Sequence, residues 1–220
     1  MSNFEKYLQE TFGDHEPREI EELVFDSHWK DKEFFTEDEK KALEKYVNLI
    51  HLSFNNIGLK SLKNLPRLKN LYYLSLNNNE LTGDDFYILK ELYPNLNKLK
   101  ISGNIIEKMD NLLQLKPLKL RKIEVKENPF SIGNDKYKKK LFDMLPTLKI
   151  IDQTDKNGDE EETTDYHNEE EENEGDGEDS YKEEEEAEDD SKNDESEDDD
   201  AEDNSSDENN KEKWKYLFNI

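Results

Sequence analysis

Between residues 71 and 130 the apolar positions recur in a rhythm that fits neither a helix nor a simple alternating strand. In LYYLSLNNNEL they fall at Leu71, Leu74, Leu76 and Leu81, with an asparagine at Asn79. LNKLKISGNII repeats the phrase with Leu96, Leu99, Ile101, Asn104 and Ile106, and LRKIEVKENPF with Leu120, Ile123, Val125, Asn128 and Phe130. An amphipathic helix would space its apolar residues by about 3.6 positions. The two-residue step instead puts two apolar side chains on one face of a short strand and the intervening residue on the other. A sharp turn after such a strand leaves backbone N–H and C=O groups inside. An asparagine amide, with both a donor and an acceptor, can satisfy that turn and join it to the next coil. Asn79, Asn104 and Asn128 stand 25 and 24 residues apart, so they are expected to stack as a structural ladder.

Units of roughly 20–29 residues with the phrase L-x-x-L-x-L-x-x-N-x-L are leucine-rich repeats, each one strand and a return segment. The expected fold is an α/β solenoid, a horseshoe of about five repeats with N- and C-terminal caps. LIHLSFNNIGL supplies an earlier repeat, in which Ile57 occupies the asparagine position, so the ladder is expected to start one coil later. Ile20, Leu23 and Phe25 read as a degenerate first repeat behind Pro17, which suits the first turn of a helical segment. Phe4, Tyr7, Leu8 and Phe12 share one helical face and predict a cap over about 3–13. Thr36 and Glu39 form a T-x-x-E capping box for a helix over about 37–46. Pro66, Pro94 and Pro117 stand before the next strands, where they stop a helix without removing a sheet bond. Tyr137, Leu141, Phe142 and Leu145, followed by Leu148, Ile150 and Ile151, predict a C-terminal seal over about 129–152.

Composition divides the chain in two. Whole, it is 40% charged with a net charge of −26 and a mean hydropathy of −1.20. Residues 155–210 alone carry 31 acidic residues against three lysines, a net of −28. The remainder, with 26 acidic and 28 basic residues, is nearly neutral. Residues 1–152 are therefore read as the repeat domain. Residues 153–210 are read as a disordered acidic tail, because so few apolar groups cannot offset chain entropy. Residues 211–220, KEKWKYLFNI, are a short basic-aromatic end.

With no cysteine, disulfides, thiol nucleophiles and cysteine-based zinc sites are excluded. No run approaches the ~18 apolar residues of a membrane span, and the start lacks a signal-peptide pattern, so a soluble, intracellular protein without membrane contact is expected. His15, His28, His51 and His167 are scattered, beside no nucleophile motif, and no phosphate-binding glycine loop is present. Neither catalysis, a cofactor nor a metal is expected. The Asp155–Asp159 stretch resembles a calcium loop only faintly, its glycine being misplaced.

What remains is surface. Strand residues facing away from the core line the concave side, the usual binding face of such a solenoid. They are Glu22, Val24 and Asp26; His51, Ser53 and Asn55; Tyr73, Ser75 and Asn77; Lys98, Lys100 and Ser102; and Lys122, Glu124 and Lys126. The face is graded, acidic at the first strand and basic at the last two. Lys138–Lys140 are read as the wet face of the terminal helix.

The order of these features is similar to that of the acidic leucine-rich nuclear phosphoprotein 32 family. EIEELVFDSHW, the capping-box helix, NLIHLSFNNIGLKSLKNLPRL, the asparagine-bearing repeats, the YKKKLFDMLPTLKIID seal and the acidic tail carry the resemblance, over residues 1–210. It implies a non-enzymatic nuclear or shuttling adaptor, moving between nucleus and cytoplasm, that binds core histones and acts as a histone chaperone or acetylation inhibitor. In some members it inhibits a type 2A serine/threonine phosphatase. Two departures stand out: the tail lacks a KRKR-like import signal and is richer in Ser and Asn. A polyanion attracts basic proteins and repels nucleic acid, so histones or other basic proteins are the expected partners and direct nucleic-acid binding is not. A ribonucleoprotein scaffold working through the concave lysines is the weaker alternative. Ser180, Ser191, Ser196 and Ser205 each have an acid three positions on, the pattern of acid-directed kinase sites.

Overall fold

The computed structural model describes residues 3–13, 15–134 and 136–160. Each two-step apolar phrase becomes a three-residue strand: β1 Glu22–Val24, β2 His51–Ser53, β3 Tyr73–Ser75, β4 Lys98–Lys100 and β5 Lys122–Glu124. A two-residue β6, Ile150–Ile151, follows. They form one open parallel sheet in chain order. The register sets Leu23, Leu52, Leu74, Leu99, Ile123 and Ile151 in one line, and all are buried. A slip of one residue would turn that line to solvent, which is why the register is strongly specified. Phe25, Phe54, Leu76, Ile101 and Val125, two residues on, are buried beside it.

Return segments are short helices and turns. The helix α1, Asn3–Phe12, covers the first coil and buries Phe4, Leu8 and Phe12. Its Phe4 ring lies 5.8 Å from Phe25 and 5.6 Å from Trp29. Pro17 opens a 3-10 turn, Pro17–Glu19. The helix α2, Glu37–Leu43, begins at the capping box, where Glu39 N–H donates to Thr36 Oγ1 at 3.3 Å and Thr36 N–H to the Glu39 carboxylate at 2.8 Å. It ends at Leu43, before the expected 46. There Tyr46 N–H bonds Leu43 O in a tighter turn, and the chain must bend to put Leu49 into the next coil. A 3-10 turn, Phe86–Ile88, leads into α3, Leu89–Leu92, and a 3-10 helix spans Met109–Leu115. The helix α4, Tyr137–Met144, closes the last coil with Leu141 and Phe142 buried.

The expected boundary at 152 falls inside this closing structure. Antiparallel bridges join Ile151 to Thr154 and Thr154 to Glu160. Asp155 accepts N–H bonds from Asn157 and Asp159 at 2.8 and 2.9 Å, and Lys138 Nζ reaches Thr154 Oγ1 at 2.6 Å. This turn covers the β6 edge, which would otherwise offer unpaired backbone groups. Residues 161–220, with the four candidate serines and the basic-aromatic end, lie outside the described residues.

Asparagines join the coils, but in the direction opposite to the one expected. Asn79 Oδ1 accepts N–H bonds from Ile57 and Leu59 at 3.2 and 3.0 Å, and its Nδ2 donates to Phe54 O at 2.8 Å and Leu76 O at 3.0 Å. Asn104 takes Leu81 N–H at 3.0 Å and gives to Leu76 O and Ile101 O. Asn128 takes Ile106 N–H and gives to Ile101 O and Val125 O. Each amide therefore reaches back to the preceding coil. That explains how Ile57 can replace an asparagine: the turn it sits in is satisfied from Asn79.

Another position repeats without a fixed residue type. Ser27, Asn56, Asn78, Gly103 and Glu127, one per coil, all have positive φ, between 55° and 66°. At Gly103 the requirement is steric as well, since a Cβ there would lie 2.2 Å from Asn78 Oδ1.

Candidate protein-binding face

The outward residues of β1–β5 stand in three rows fixed by strand pairing. The first holds Glu22, His51, Tyr73, Lys98 and Lys122, and the second Val24, Ser53, Ser75, Lys100 and Glu124. Backbone bonds from Ser27 to Asn55, Asn56 to Asn77, Asn78 to Ser102 and Gly103 to Lys126 align the third, Asp26, Asn55, Asn77, Ser102 and Lys126.

Along the first row neighbours are coupled. Glu22 Oε1 lies 2.6 Å from His51 Nδ1, and the His51 and Tyr73 rings are 4.1 Å apart. Lys98 and Lys100 place their Nζ atoms 5.2 and 5.7 Å from the Tyr73 ring centre, a cation–π distance. Lys100 also pairs with Glu124 at 3.0 Å. The gradient read from the sequence is thus carried by contacting side chains, with tyrosine between the acidic and basic ends.

The third row is a second hydrogen-bond ladder, which sequence reasoning missed. Asp26 accepts from Ser53 Oγ at 2.6 Å, Asn55 N–H at 2.9 Å and Asn55 Nδ2 at 2.8 Å. Asn55 Oδ1 in turn accepts from Ser75 Oγ and Asn77 N–H, both at 2.7 Å. Asn77 Oδ1 accepts Ser102 N–H at 2.8 Å. At the far end Asp152 accepts N–H bonds from Val125 and Lys126 and the hydroxyl of Tyr137. Burial, helped by the Asp152 carboxylate, raises the Tyr137 pKa above the ordinary phenol range. The recurring Ser-x-Asn of Ser53/Asn55 and Ser75/Asn77 was the available signal.

These bonds separate two groups among the residues named from the sequence. Ser53, Ser75, Ser102 and Tyr73 are buried, and the carboxylate of Asp26, the amide of Asn55 and the side-chain oxygen of Asn77 are engaged within the sheet. Glu22, His51, Lys98, Lys100, Lys122 and Glu124 are half-buried and Lys126 is exposed. The charged side chains of the first two rows and Lys126 therefore stand over a polar floor.

One row further toward the strand starts, sequence reasoning also missed an exposed line. Ile50 N–H bonds Glu21 O, Tyr72 bonds Ile50, Asn97 bonds Tyr72, Arg121 bonds Asn97 and Lys149 bonds Arg121, all at 2.8–2.9 Å. Ile50 and Tyr72 are 41% and 42% exposed, unusual for large apolar side chains side by side.

The described histidines do not converge. His28 packs 4.1 Å from the Tyr7 ring, and burial lowers its pKa; His51 belongs to the sheet face. Among the described residues no group of three His, Asp or Glu side chains is placed to hold a metal ion.

A family model described as leucine-rich repeat matches residues 39–175. A curated relative from Plasmodium falciparum, an acidic leucine-rich nuclear phosphoprotein 32-related protein, is 34% identical over 149 residues, covering 66% of this chain and 52% of its own. One from Caenorhabditis elegans, acidic leucine-rich nuclear phosphoprotein 32-related protein 2, is 42% identical over 123 residues, covering 54% of this chain and 53% of its own. The chain thus spans about half the length of these relatives. Among solved structures, one from a Drosophila melanogaster SNF/U2A' complex superposes with a TM-score of 0.51 at 24% identity over 61% of this chain and 74% of that one. That likeness is one of fold.

Proposed function

Because the chain belongs to the leucine-rich repeat family, whose members bind partners on the strand-lined face, we propose that it is a non-enzymatic nuclear adaptor that captures core histones. The observation that carries this reading is the segregation of charge: a net of −28 over residues 155–210 beside a nearly neutral repeat body. A polyanion attracts a basic protein over roughly the Debye length, ~10 Å at 0.1 M salt, and the sheet face adds selectivity. Phosphorylation of Ser180, Ser191, Ser196 and Ser205 would add about −1.5 to −2 each and strengthen capture. Nuclear residence accords with the names of the relatives, acidic leucine-rich nuclear phosphoprotein 32-related proteins.

The test is binding of core histones to the full chain and to residues 1–160 at two salt concentrations. Loss of affinity of at least about tenfold on truncation, and a similar loss as salt rises, is expected. Equal binding by both proteins would refute the reading. A second reading, inhibition of a type 2A serine/threonine phosphatase, is favoured by all six strands of the described sheet lying within residues 22–151. Inhibition that survives truncation at 160 supports it.

A further inference from the structure

The exposed line at the strand starts and the first row of the sheet face carry the same order of side chains. Over β1 stand Glu21 and Glu22. Ile50 and Tyr72 lie exposed in the middle, and Arg121 and Lys122 stand over β5, with Lys149 beyond. Exposed large apolar side chains flanked by opposite charges are the composition of an interface centre with an orienting rim.

We propose that this face docks an amphipathic helix of a partner protein, acidic at its N-terminal end and basic at its C-terminal end. The helix lies across the strands from β5 toward β1, with an apolar residue against Ile50 and Tyr72. The proposal rests on the adaptor reading and specifies what the sheet half of the adaptor selects.

Three arguments fix the occupant. Strands β2–β5 have both edges paired, so an extended segment laid across them would find no backbone partners, whereas a helix satisfies its own. The four inter-strand steps from β1 to β5, about 4.8 Å each, span ~19 Å, the length of a helix of about 13 residues. An acidic start and basic finish also agree with the helix dipole, so the charge order of the face and the partner's own helical preference select the same direction.

The experiment uses the full chain and two synthetic peptides of about 13 residues and identical composition, stapled to equal helicity. Both carry leucine and phenylalanine centrally; one runs from glutamates to lysines and the other from lysines to glutamates. Because the composition is shared, any attraction to the acidic segment is the same for both. By fluorescence anisotropy at low salt the first peptide is expected to bind about fivefold or more tighter. A protein carrying E21K, E22K, R121E and K122E, shown folded by circular dichroism, reverses that preference. Tyr72→Ala, at an exposed position, weakens the preferred peptide by about fivefold or more. Equal affinities, no binding, an unchanged preference in the swapped protein, or displacement of both peptides by a single-stranded RNA would each overturn the proposal. None of these outcomes bears on histone capture, which the truncation experiment reads separately.

Discussion

The two hydrogen-bond ladders use similar chemistry in different surroundings. Asn79, Asn104 and Asn128 form the inner one, buried against the leucine core. Asp26, Asn55 and Asn77 form the outer one, half-exposed beside the sheet face. Both join coil to coil through carbonyl oxygens that accept backbone N–H groups. They run in opposite directions, the inner amides bonding the preceding coil and the outer ones the following coil. Burial, more than the number of bonds, decides what a bond is worth here, because water can replace a lost partner more readily on the half-exposed outer line.

The largest effect is expected from Asn104→Ala. It strands Leu81 N–H and the carbonyls of Leu76 and Ile101 in the interior, and a loss of about 3 kcal/mol or more in urea unfolding is expected. If Asn104→Ala and Asn55→Ala cost the same, burial is not the deciding variable. Asn55→Ala frees Asn77 N–H and an Asp26 carboxylate oxygen at half-exposed residues and leaves the Ser75 hydroxyl inside, so a smaller loss of about 1–2 kcal/mol is expected from the same measurement.

Tyr93 sharpens the rule from the other side. Its side chain is fully buried, and its hydroxyl has no hydrogen-bond partner among the described residues. Removing an unsatisfied buried group should help where removing a satisfied one harms. Tyr93→Phe is expected to gain up to about 1 kcal/mol, and a loss of that size would show that the hydroxyl is solvated or bonded in solution.

The smallest effect lies in the N-terminal cap. His28 is exposed on one side but is held below its ordinary pKa of 6.5 by partial burial against the Tyr7 and Trp29 rings. Above 6.5 the imidazole is neutral in both folded and unfolded chains, so its full contribution is present. As pH falls through 6.5 and on through the lower folded value, the unfolded chain takes up the proton first and stability declines. Melting temperatures from about pH 7.5 to about 5.5 should fall less steeply for His28→Gln than for the native chain. Parallel slopes would place the imidazole in water.

The surface reading stands on the same contrast. Along the outer ladder short polar side chains are consumed by the fold, so they make a floor and little of a contact surface. Along the first row and the strand starts, long charged and aromatic side chains project past that floor. Position on an outward strand face was visible in the spacing alone. Which outward residues bond one another was not, since Asp26 meets Asn55 across 29 residues of chain.

The two-step apolar rhythm and the 24–25 residue period determined the stacked coils by themselves, because only a short strand followed by a turn puts Leu74 with Leu76, or Leu99 with Ile101, on one face and repeats it. The same local logic located the Thr36–Glu39 capping box, whose partners are three residues apart. What tertiary structure alone decided depends on neighbours from different coils: that Asn79 serves the turn at Ile57, that Thr154 extends the seal past residue 152, and that Glu21, Ile50, Tyr72 and Arg121 fall in one exposed line. Side-chain spacing encodes which face a residue occupies, and only the register between coils decides what lies beside it.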